Sequence, residues 1–300
     1  MKKVLSIFLI TCCLTATLAG QELQRKKVGV VLSGGGAKGF AHVGVLRVLE
    51  EAGIPIDFIA GTSMGAVVGG LYAAGYSSHM IDSLVKVQDW SYLMRDDIYR
   101  KNQHVFMRDR RERYLISLPY QLQFRGKRGK VTLPPGVYEG QNIYALFLKL
   151  TAGYHQNIDF DQLPIPFGCV AADVRTGREV VLREGNLPEA IRASMAIPGV
   201  FTPVEKDSML LIDGGVINNF PVDLVREMGA DLVIGVIFPP DREQIEKQKG
   251  SINEVTGQLW NFIGQGKRRR NMADTDLLIT PDVNSFGMLE FQRPAIDTII

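Results

Sequence analysis

The segment that most restricts the fold of this chain is Gly61-Thr62-Ser63-Met64-Gly65, a serine framed by two glycines. It follows the apolar run 56–60 and precedes the small-residue run 66–74, so it predicts a strand, a sharp turn and a helix. Such a turn strains the backbone of its central residue, and a Cβ two residues to either side would collide where the strand becomes the helix. The pattern predicts Ser63 as a nucleophile, although G-x-S-x-G alone also fits an ordinary tight turn.

The N-terminus has the features of a secretory signal peptide. Met1-Lys2-Lys3 is followed by apolar residues 4–18 and by small residues at 19–20. The apolar stretch is short for a membrane span, so a signal peptide over residues 1–20 is predicted, with an uncleaved anchor as the alternative. We therefore expect an exported protein of the periplasm, outer membrane or cell surface.

Removal of that segment changes the charge and the cysteine count. Lys2 and Lys3 leave with it, so 32 of the 34 basic residues remain against 32 acidic ones, and nothing in this neutral balance points to nucleic acid. Cys169 is the one cysteine left, in an apolar run, so it is predicted to be a core residue and not part of a disulfide.

The remaining chain predicts one main domain over 26–285 of the α/β class, with helices covering a mainly parallel sheet. Apolar runs predict strands at 28–32, 56–60, 167–173, 178–182, 209–212, 232–238 and 277–280. Periodic segments predict helices at 40–52, 66–74, 141–151 and 186–196, another that opens at Pro221 and another after residue 244. Residues 286–300 are predicted to begin a linker or a following module.

Residues 89–136 lack this regular alternation and are predicted to be an irregular flap or insertion. Two groups of basic residues lie in it, around 108–113 and 125–130. A solvated charged surface and a contact with anionic lipid headgroups both fit this pattern.

A second glycine-rich strand end, Ser33 to Gly39, precedes the serine motif. Gly34, Gly36 and Gly39 match the dinucleotide pattern G-x-G-x-x-G, but no acidic residue ends the second strand to hold a ribose, which disfavours a nucleotide site. Consecutive glycines also let N–H groups converge at a helix N-terminus, where negative charge is favoured. We predict an oxyanion hole formed by Gly35 and Gly36 with the N–H of Met64.

The serine needs a base, and the histidines fit that role poorly. No histidine follows His155, although α/β-hydrolases place theirs last in the chain, and His42 lies inside a predicted helix, where a packing or hydrogen-bonding role is expected. Asp213 ends an apolar strand and precedes Gly214-Gly215, at the kind of strand end where parallel sheets keep their active sites. Asp-Gly-Gly alone is most often a plain turn. Taken together with the two other strand ends that are flanked by glycines, the Asp213 motif predicts a Ser63–Asp213 dyad.

Together these motifs resemble the patatin-like phospholipases. The resemblance rests on Gly34-Gly35-Gly36-Ala37-Lys38-Gly39, Gly61-Thr62-Ser63-Met64-Gly65 and Asp213-Gly214-Gly215, with further matches at 41–46, 194–203 and 218–221. It implies a three-layer α/β/α fold and calcium-independent hydrolysis by a Ser-Asp dyad, without cofactor or metal. It also implies that Gly34, Gly35 and Gly36 form the oxyanion hole. The motif residues expected to support the site are Lys38, Gly39, Gly61, Gly65, Gly214 and Gly215.

The leading hypothesis is thus a serine acyl hydrolase of the phospholipase A, lysophospholipase or esterase type. Its partners would be phospholipids or other fatty-acyl esters and a membrane surface, with no nucleic acid, and the sequence specifies no oligomeric state. The alternative is an exported lipid-binding or membrane-associated module with little turnover. The resemblance also suggests a domain of a longer outer-membrane protein.

Overall fold

The structure is a computed structural model that describes residues 25–96, 121–125, 128–132, 136–238 and 264–300. The predicted signal peptide, much of the predicted flap and most of the helix predicted after residue 244 lie outside these ranges. Within them, no helix combines the length and the apolar character that crossing a bilayer requires.

Strands and helices alternate near both ends of the described chain, whereas its middle contains runs of successive helices and of successive strands. The strands are β1 (Val28–Leu32), β2 (Phe58–Thr62), β3 (Gln121–Arg125), β4 (Arg128–Thr132), β5 (Gly136–Tyr138), β6 (Ile158–Asp159), β7 (Phe167–Asp173), β8 (Arg178–Leu182), β9 (Glu184–Gly185), β10 (Gly199–Phe201), β11 (Val204–Lys206), β12 (Met209–Asp213), β13 (Leu232–Val236) and β14 (Leu277–Ile279). The α-helices are α1 (Ala41–Glu51), α2 (Met64–Ala73), α3 (Ser78–Val87), α4 (Trp90–Arg95), α5 (Gln141–Leu150), α6 (Leu187–Ser194), α7 (Val222–Glu227), α8 (264–273) and α9 (Arg293–Ile299). Short 3-10 helices cover Gly36–Phe40, Phe160–Gln162 and Gly214–Val216.

An eight-stranded sheet forms the centre of the fold. Strands β14, β13, β1, β2 and β7 are parallel neighbours in that order, whereas β8, β12 and β11 join antiparallel. The predicted parallel core is confirmed. The antiparallel strands lie beyond it, in the half of the sheet that carries Asp213.

Helices cover both faces of this sheet. Alternate residues of β1 point to opposite sides, so Val30 and Leu32 join the larger core cluster while Val31 joins a smaller one. The larger cluster contains the apolar faces of α1, α2 and α6, and the smaller one contains Val222 and Val225 of α7. The expected three-layer α/β/α arrangement is confirmed.

Most predicted elements begin and end within two residues of the observed ones, and β1, β7 and β8 have the predicted bounds. The strand predicted at 56–60 instead runs from Phe58 to Thr62. Its predicted start is displaced because the Asp57 carboxylate accepts the Val28 N–H at 2.8 Å and pairs with Arg25. The side chain of Asp57 thus connects the residue before β2 to the first residue of β1 through a hydrogen bond.

Strand β7 has a fork on one of its two edges. Val170 pairs with Thr62 on one edge and with Val181 on the other, whereas Ala171 pairs with Asp213 and Val180. Since β8 follows one edge throughout, β2 and β12 share the opposite edge and meet end to end. Asp213 lies at the carboxyl end of its strand, as predicted, but β12 runs antiparallel to β7, and its carboxyl end meets that of β2 head on.

The segment 286–300, predicted to begin a linker or a following module, lies against the domain. Helix α9 buries Ala295, Ile296 and Ile299 in the larger core cluster. The ring of Phe291 stacks on Trp90 with centroids 5.7 Å apart. This segment therefore covers the region beside the glycine-rich loop after β1.

Candidate active site

The turn between β2 and α2 holds Ser63 in a strained conformation. Its φ is 56° and its ψ is −122°, a region that residues with a Cβ rarely adopt and that costs about 1–3 kcal/mol. A Cβ on Gly61 would lie 2.4 Å from the carbonyl carbon of Gly65, and one on Gly65 would lie 2.0 Å from the Leu32 oxygen. Both flanking glycines are thus required by the close packing that the sequence pattern predicted.

The backbone of Ser63 is held from two directions. Its carbonyl accepts the N–H groups of Ala66 and Val67 at 2.9 and 3.1 Å, which starts helix α2. Its own N–H donates to the hydroxyl oxygen of Ser194 at 3.1 Å. The sequence contained no local signal for this contact, since the two serines are 131 residues apart.

Asp213 lies within hydrogen-bonding reach of that serine. Burial raises the pKa of its carboxyl group to about 6, while hydrogen bonds from the Ser63 hydroxyl and from the Gly215 N–H act in the opposite direction. The N–H of Gly215 donates to Oδ1 at 2.7 Å, and only 4% of the Asp213 residue surface is exposed. The structure therefore brings the predicted pair together, hydroxyl to carboxylate, in a site that disfavours charge.

The two glycines after Asp213 are needed for close packing. A Cβ on Gly214 would lie 2.3 Å from the Val170 oxygen at the fork of β7. A Cβ on Gly215 would lie 3.0 Å from the carboxylate Oδ1 of Asp213. They let the Asp213 turn approach both the sheet and its own carboxylate.

Gly34 lies directly beside the nucleophile. A Cβ on Gly34 would lie 2.9 Å from the Cβ of Ser63. Its N–H donates to the Asn219 carbonyl at 3.3 Å, and the Asn219 side-chain amide donates back to the Gly34 carbonyl at 3.2 Å. Gly34 thus shapes the site and fastens the loop, but its N–H already has an acceptor in this structure.

The other predicted oxyanion donors begin helices. Gly36 starts a 3-10 helix and Met64 starts α2, positions whose N–H groups have no partner within their own helix. Apart from the hydrogen bonds within the helices and strands themselves, no backbone carbonyl in the described part of the chain accepts the N–H of Gly35 or Gly36. These N–H groups therefore fit an incoming oxyanion better than that of Gly34.

The glycine loop is tightly enclosed. Gly36 has a φ of 57°, and a Cβ there would lie 2.1 Å from the Met288 carbonyl, which accepts the Ala37 N–H at 2.8 Å. A Cβ on Gly35 would lie 2.6 Å from the ring of Phe238. Side chains at either position would therefore displace a neighbouring segment.

The last two residues of the glycine motif have packing positions. Lys38 is buried inside the 3-10 helix. A Cβ on Gly39 would lie 2.4 Å from Cγ of Met64, so this glycine allows the loop to contact the start of α2. Gly39 thus supports the site through the packing of the loop against α2.

His42 has a supporting position in the first helix. It is fully buried, and burial lowers the pKa of its imidazole to about 4. Nε2 lies 2.7 Å from the Ser33 carbonyl, an acceptor, so Nε2 carries the proton and donates. The neutral ring holds the start of the glycine loop, consistent with the hydrogen-bonding role predicted from its place in the helix.

A second polar cluster lies behind the site and was not predicted. Asp223 accepts from the side-chain amides of Asn218 and Asn271, both at 3.0 Å, and pairs with Lys267 at 2.7 Å. Lys267 also pairs with Glu179. The Thr62 hydroxyl donates to the Asn218 carbonyl at 2.9 Å, which joins this cluster to the strand that carries the nucleophile.

Within the ranges that the structure describes, no group of three or more His, Cys, Asp or Glu side chains is arranged to hold a metal ion. The chemistry of the described site is that of a hydroxyl, a carboxyl group and backbone amides.

Comparison with known proteins places these motifs in one family. Residues 30–226 match the family model described as "Patatin-like phospholipase". An uncharacterized NTE family protein of Mycobacterium tuberculosis is 34% identical over 222 residues, which cover 74% of this chain and 51% of that protein. Human patatin-like phospholipase domain-containing protein 6 is 31% identical over 216 residues, which cover 71% of this chain and 13% of that protein.

Among solved structures, VipD from Legionella pneumophila is similar, with 18% identity and a TM-score of 0.38 over 74% of this chain and 52% of that one. The chain spans about half the length of its mycobacterial relative and a smaller share of the human one. The family match includes the glycine loop, the serine turn and the Asp213 turn described above. The chain belongs to the patatin-like phospholipase family.

Proposed function

We propose that this protein is a serine acyl hydrolase that cleaves fatty-acyl esters of the phospholipid or lysophospholipid class. The observation that carries the proposal is the placement of the strained Ser63 and its hydroxyl against the carboxyl group of the buried Asp213, beside a loop of glycines. Membership of the patatin-like phospholipase family supports a lipid as the substrate.

In the proposed reaction, Ser63 Oγ attacks the ester carbonyl while its proton passes to Asp213. The C–O bond to the alcohol then breaks, and the protonated Asp213 returns the proton to the departing oxygen. A water molecule repeats the sequence on the acyl-enzyme, which releases the fatty acid and regenerates the hydroxyl. The raised pKa of Asp213 suits this role, because a base near pKa 6 accepts and returns a proton at neutral pH.

The tetrahedral intermediates carry a negative charge on the former carbonyl oxygen. We assign its stabilisation to the N–H groups of Gly35, Gly36 and Met64, which lie at helix starts and directly follow Gly34 or Ser63 in the chain. We leave Gly34 out of this set because its N–H donates to Asn219. Its closeness to the Ser63 Cβ gives it a shaping role instead.

The test is labelling with a fluorophosphonate probe, together with fatty-acid release from phospholipids and p-nitrophenyl esters. Ser63→Ala should lose the label and reduce turnover by about 10⁴-fold or more, since a covalent nucleophile is removed. Ser78→Ala is the matched control: it removes another buried serine hydroxyl, bound to Glu50 in the outer helical layer. It should keep both label and turnover.

Labelling of the Ser63→Ala protein would end the assignment. Lipid binding by the wild type without fatty-acid release would favour the alternative of a binding module. We also propose that turnover is calcium-independent, so EDTA should leave it unchanged, and loss of activity that calcium restores would contradict this. Export, proposed from residues 1–20, is tested by N-terminal sequencing of the mature protein.

A further inference from the structure

We propose that Ser194 is a positioning residue that holds the nucleophile in its strained conformation. The inference rests on the proposed function of Ser63 and concerns a residue that would not touch the substrate. It starts from the hydrogen bond between the Ser63 N–H and the Ser194 hydroxyl oxygen at 3.1 Å.

The direction of the hydrogen bonds around Ser194 is fixed. Its hydroxyl hydrogen is used in donating to the Val170 carbonyl at 2.6 Å, so a lone pair of the same oxygen faces the Ser63 N–H. Ser194 is completely buried and Ser63 is nearly so. Bulk water therefore has little access to replace this acceptor.

The position of this hydroxyl coincides with the fork of β7. Val170 is the residue opposite Thr62, the last residue of β2 before the nucleophile. At Ser63 the chain leaves the ladder with a positive φ, and its N–H needs an acceptor from elsewhere. Ser194 supplies that acceptor and is anchored on β7, the neighbour of the strand that the chain has just left.

The same short segment also holds the other member of the pair. Ala196, two residues after Ser194, accepts the backbone N–H of Asp213 at 3.0 Å. Segment 194–196 thus hydrogen-bonds the backbone of both the proposed nucleophile and the proposed base. Removal of the Ser194 hydroxyl should disturb the position of Ser63, whereas the hydrogen bond from the Asp213 N–H to the Ala196 carbonyl remains.

The test compares Ser194→Ala with wild type and with Ser78→Ala, the same substitution at a fully buried serine of the outer layer. We expect Ser194→Ala to lower kcat and the rate of fluorophosphonate labelling about tenfold, the effect of one lost hydrogen bond. KM should be unchanged, and the acidic limb of the pH profile should stay where it is. Ser78→Ala should reduce thermal stability without changing kcat.

A second measurement does not depend on turnover. Native-state hydrogen exchange at the Ser63 amide should accelerate in Ser194→Ala beyond any global loss of stability. If the alanine variant does not fold, Ser194→Cys keeps the side-chain volume with a weaker acceptor and should give an intermediate rate.

Wild-type kcat in a folded Ser194→Ala or Ser194→Cys protein, or an unchanged Ser63 amide exchange, would overturn the proposal. A loss of kcat matched by Ser78→Ala would also overturn it, because stability alone would then explain the effect. If the wild type neither releases fatty acid nor labels at Ser63, the proposed function fails. The exchange measurement would still decide whether Ser194 holds Ser63.

Discussion

Asp213 and Asp223 lie on the same stretch of chain and have opposite environments. Burial raises the pKa of Asp213 to about 6, and its hydrogen-bond donors are the Ser63 hydroxyl and the Gly215 N–H. Burial also acts to raise the pKa of Asp223, but the Lys267 ammonium and the neighbouring amides outweigh it and lower that pKa. Asp223 is thus stabilised as an anion, whereas no cation among the described residues pairs with Asp213.

The opposite pKa shifts of the two aspartates distinguish a carboxyl group that stabilises the fold from one that can exchange a proton. A fully paired carboxylate contributes to folding and has no tendency to take up a proton near neutral pH. A carboxyl group that is desolvated and has no cation beside it costs folding free energy when ionised, and it is a better proton acceptor for that reason. Three measurements test this contrast between the two carboxyl groups.

The largest effect is expected for Asp213→Asn. Removal of the proposed general base should lower kcat by about 10³-fold. The folded pKa of about 6 lies above the usual value of 3.8, so ionisation of Asp213 destabilises the fold as the pH rises from about 4 through 6. The variant should therefore be as stable as wild type at pH 8, or more stable, as measured by urea unfolding. Retained turnover would show that another base is used.

Asp223→Asn is the matched substitution and should have the opposite result. It removes the partner of Lys267 while keeping the shape of the side chain, so we expect a loss of about 1–2 kcal/mol of unfolding free energy. The estimate is modest because Asp223 is only half-buried and Lys267 keeps Glu179. The kcat of the folded fraction should stay within about twofold of wild type. A loss of turnover comparable to that of Asp213→Asn would remove the distinction between the two groups.

The smallest effect is the pH dependence of the wild-type enzyme. Asp213 must be ionised to accept the serine proton, so kcat/KM should fall below about pH 6 and be about tenfold lower at pH 5. Protonation of Asp213 stabilises the fold, and Asp223 stays ionised at pH 5 because its pKa is lowered. The loss should therefore be reversible, with no unfolding by circular dichroism. A profile without this acidic limb would contradict the proposed base.

Much of the fold follows from short-range pattern. The apolar runs of β1, β7 and β8 were bounded by turn residues, and their limits were predicted correctly. The start of β2 was displaced because Asp57 bonds across to Val28 and Arg25, contacts that no apolar pattern reports. The antiparallel direction of β12 could not be predicted from its apolar run, because that pattern is the same whichever way the strand runs.

The positions of the sharp turns can be predicted from the sequence alone. Ser63 and its flanking glycines are recognisable because backbone strain and close packing constrain residues within two positions of one another. The three glycine-framed strand ends could be identified in this way, together with the residue types that could carry out the chemistry.

The role of each of those residues depends on contacts between distant parts of the chain. In the structure, β2 and β12 meet end to end on the same edge of β7. The Gly34 N–H donates to the Asn219 carbonyl, and the Ser194 hydroxyl oxygen accepts the Ser63 N–H. The tertiary structure also sets the pKa of Asp213, since desolvation depends on everything packed around a carboxyl group. Local dihedral preferences depend on neighbouring residues, whereas hydrogen-bond partners and burial arise from contacts between segments that are distant in the chain.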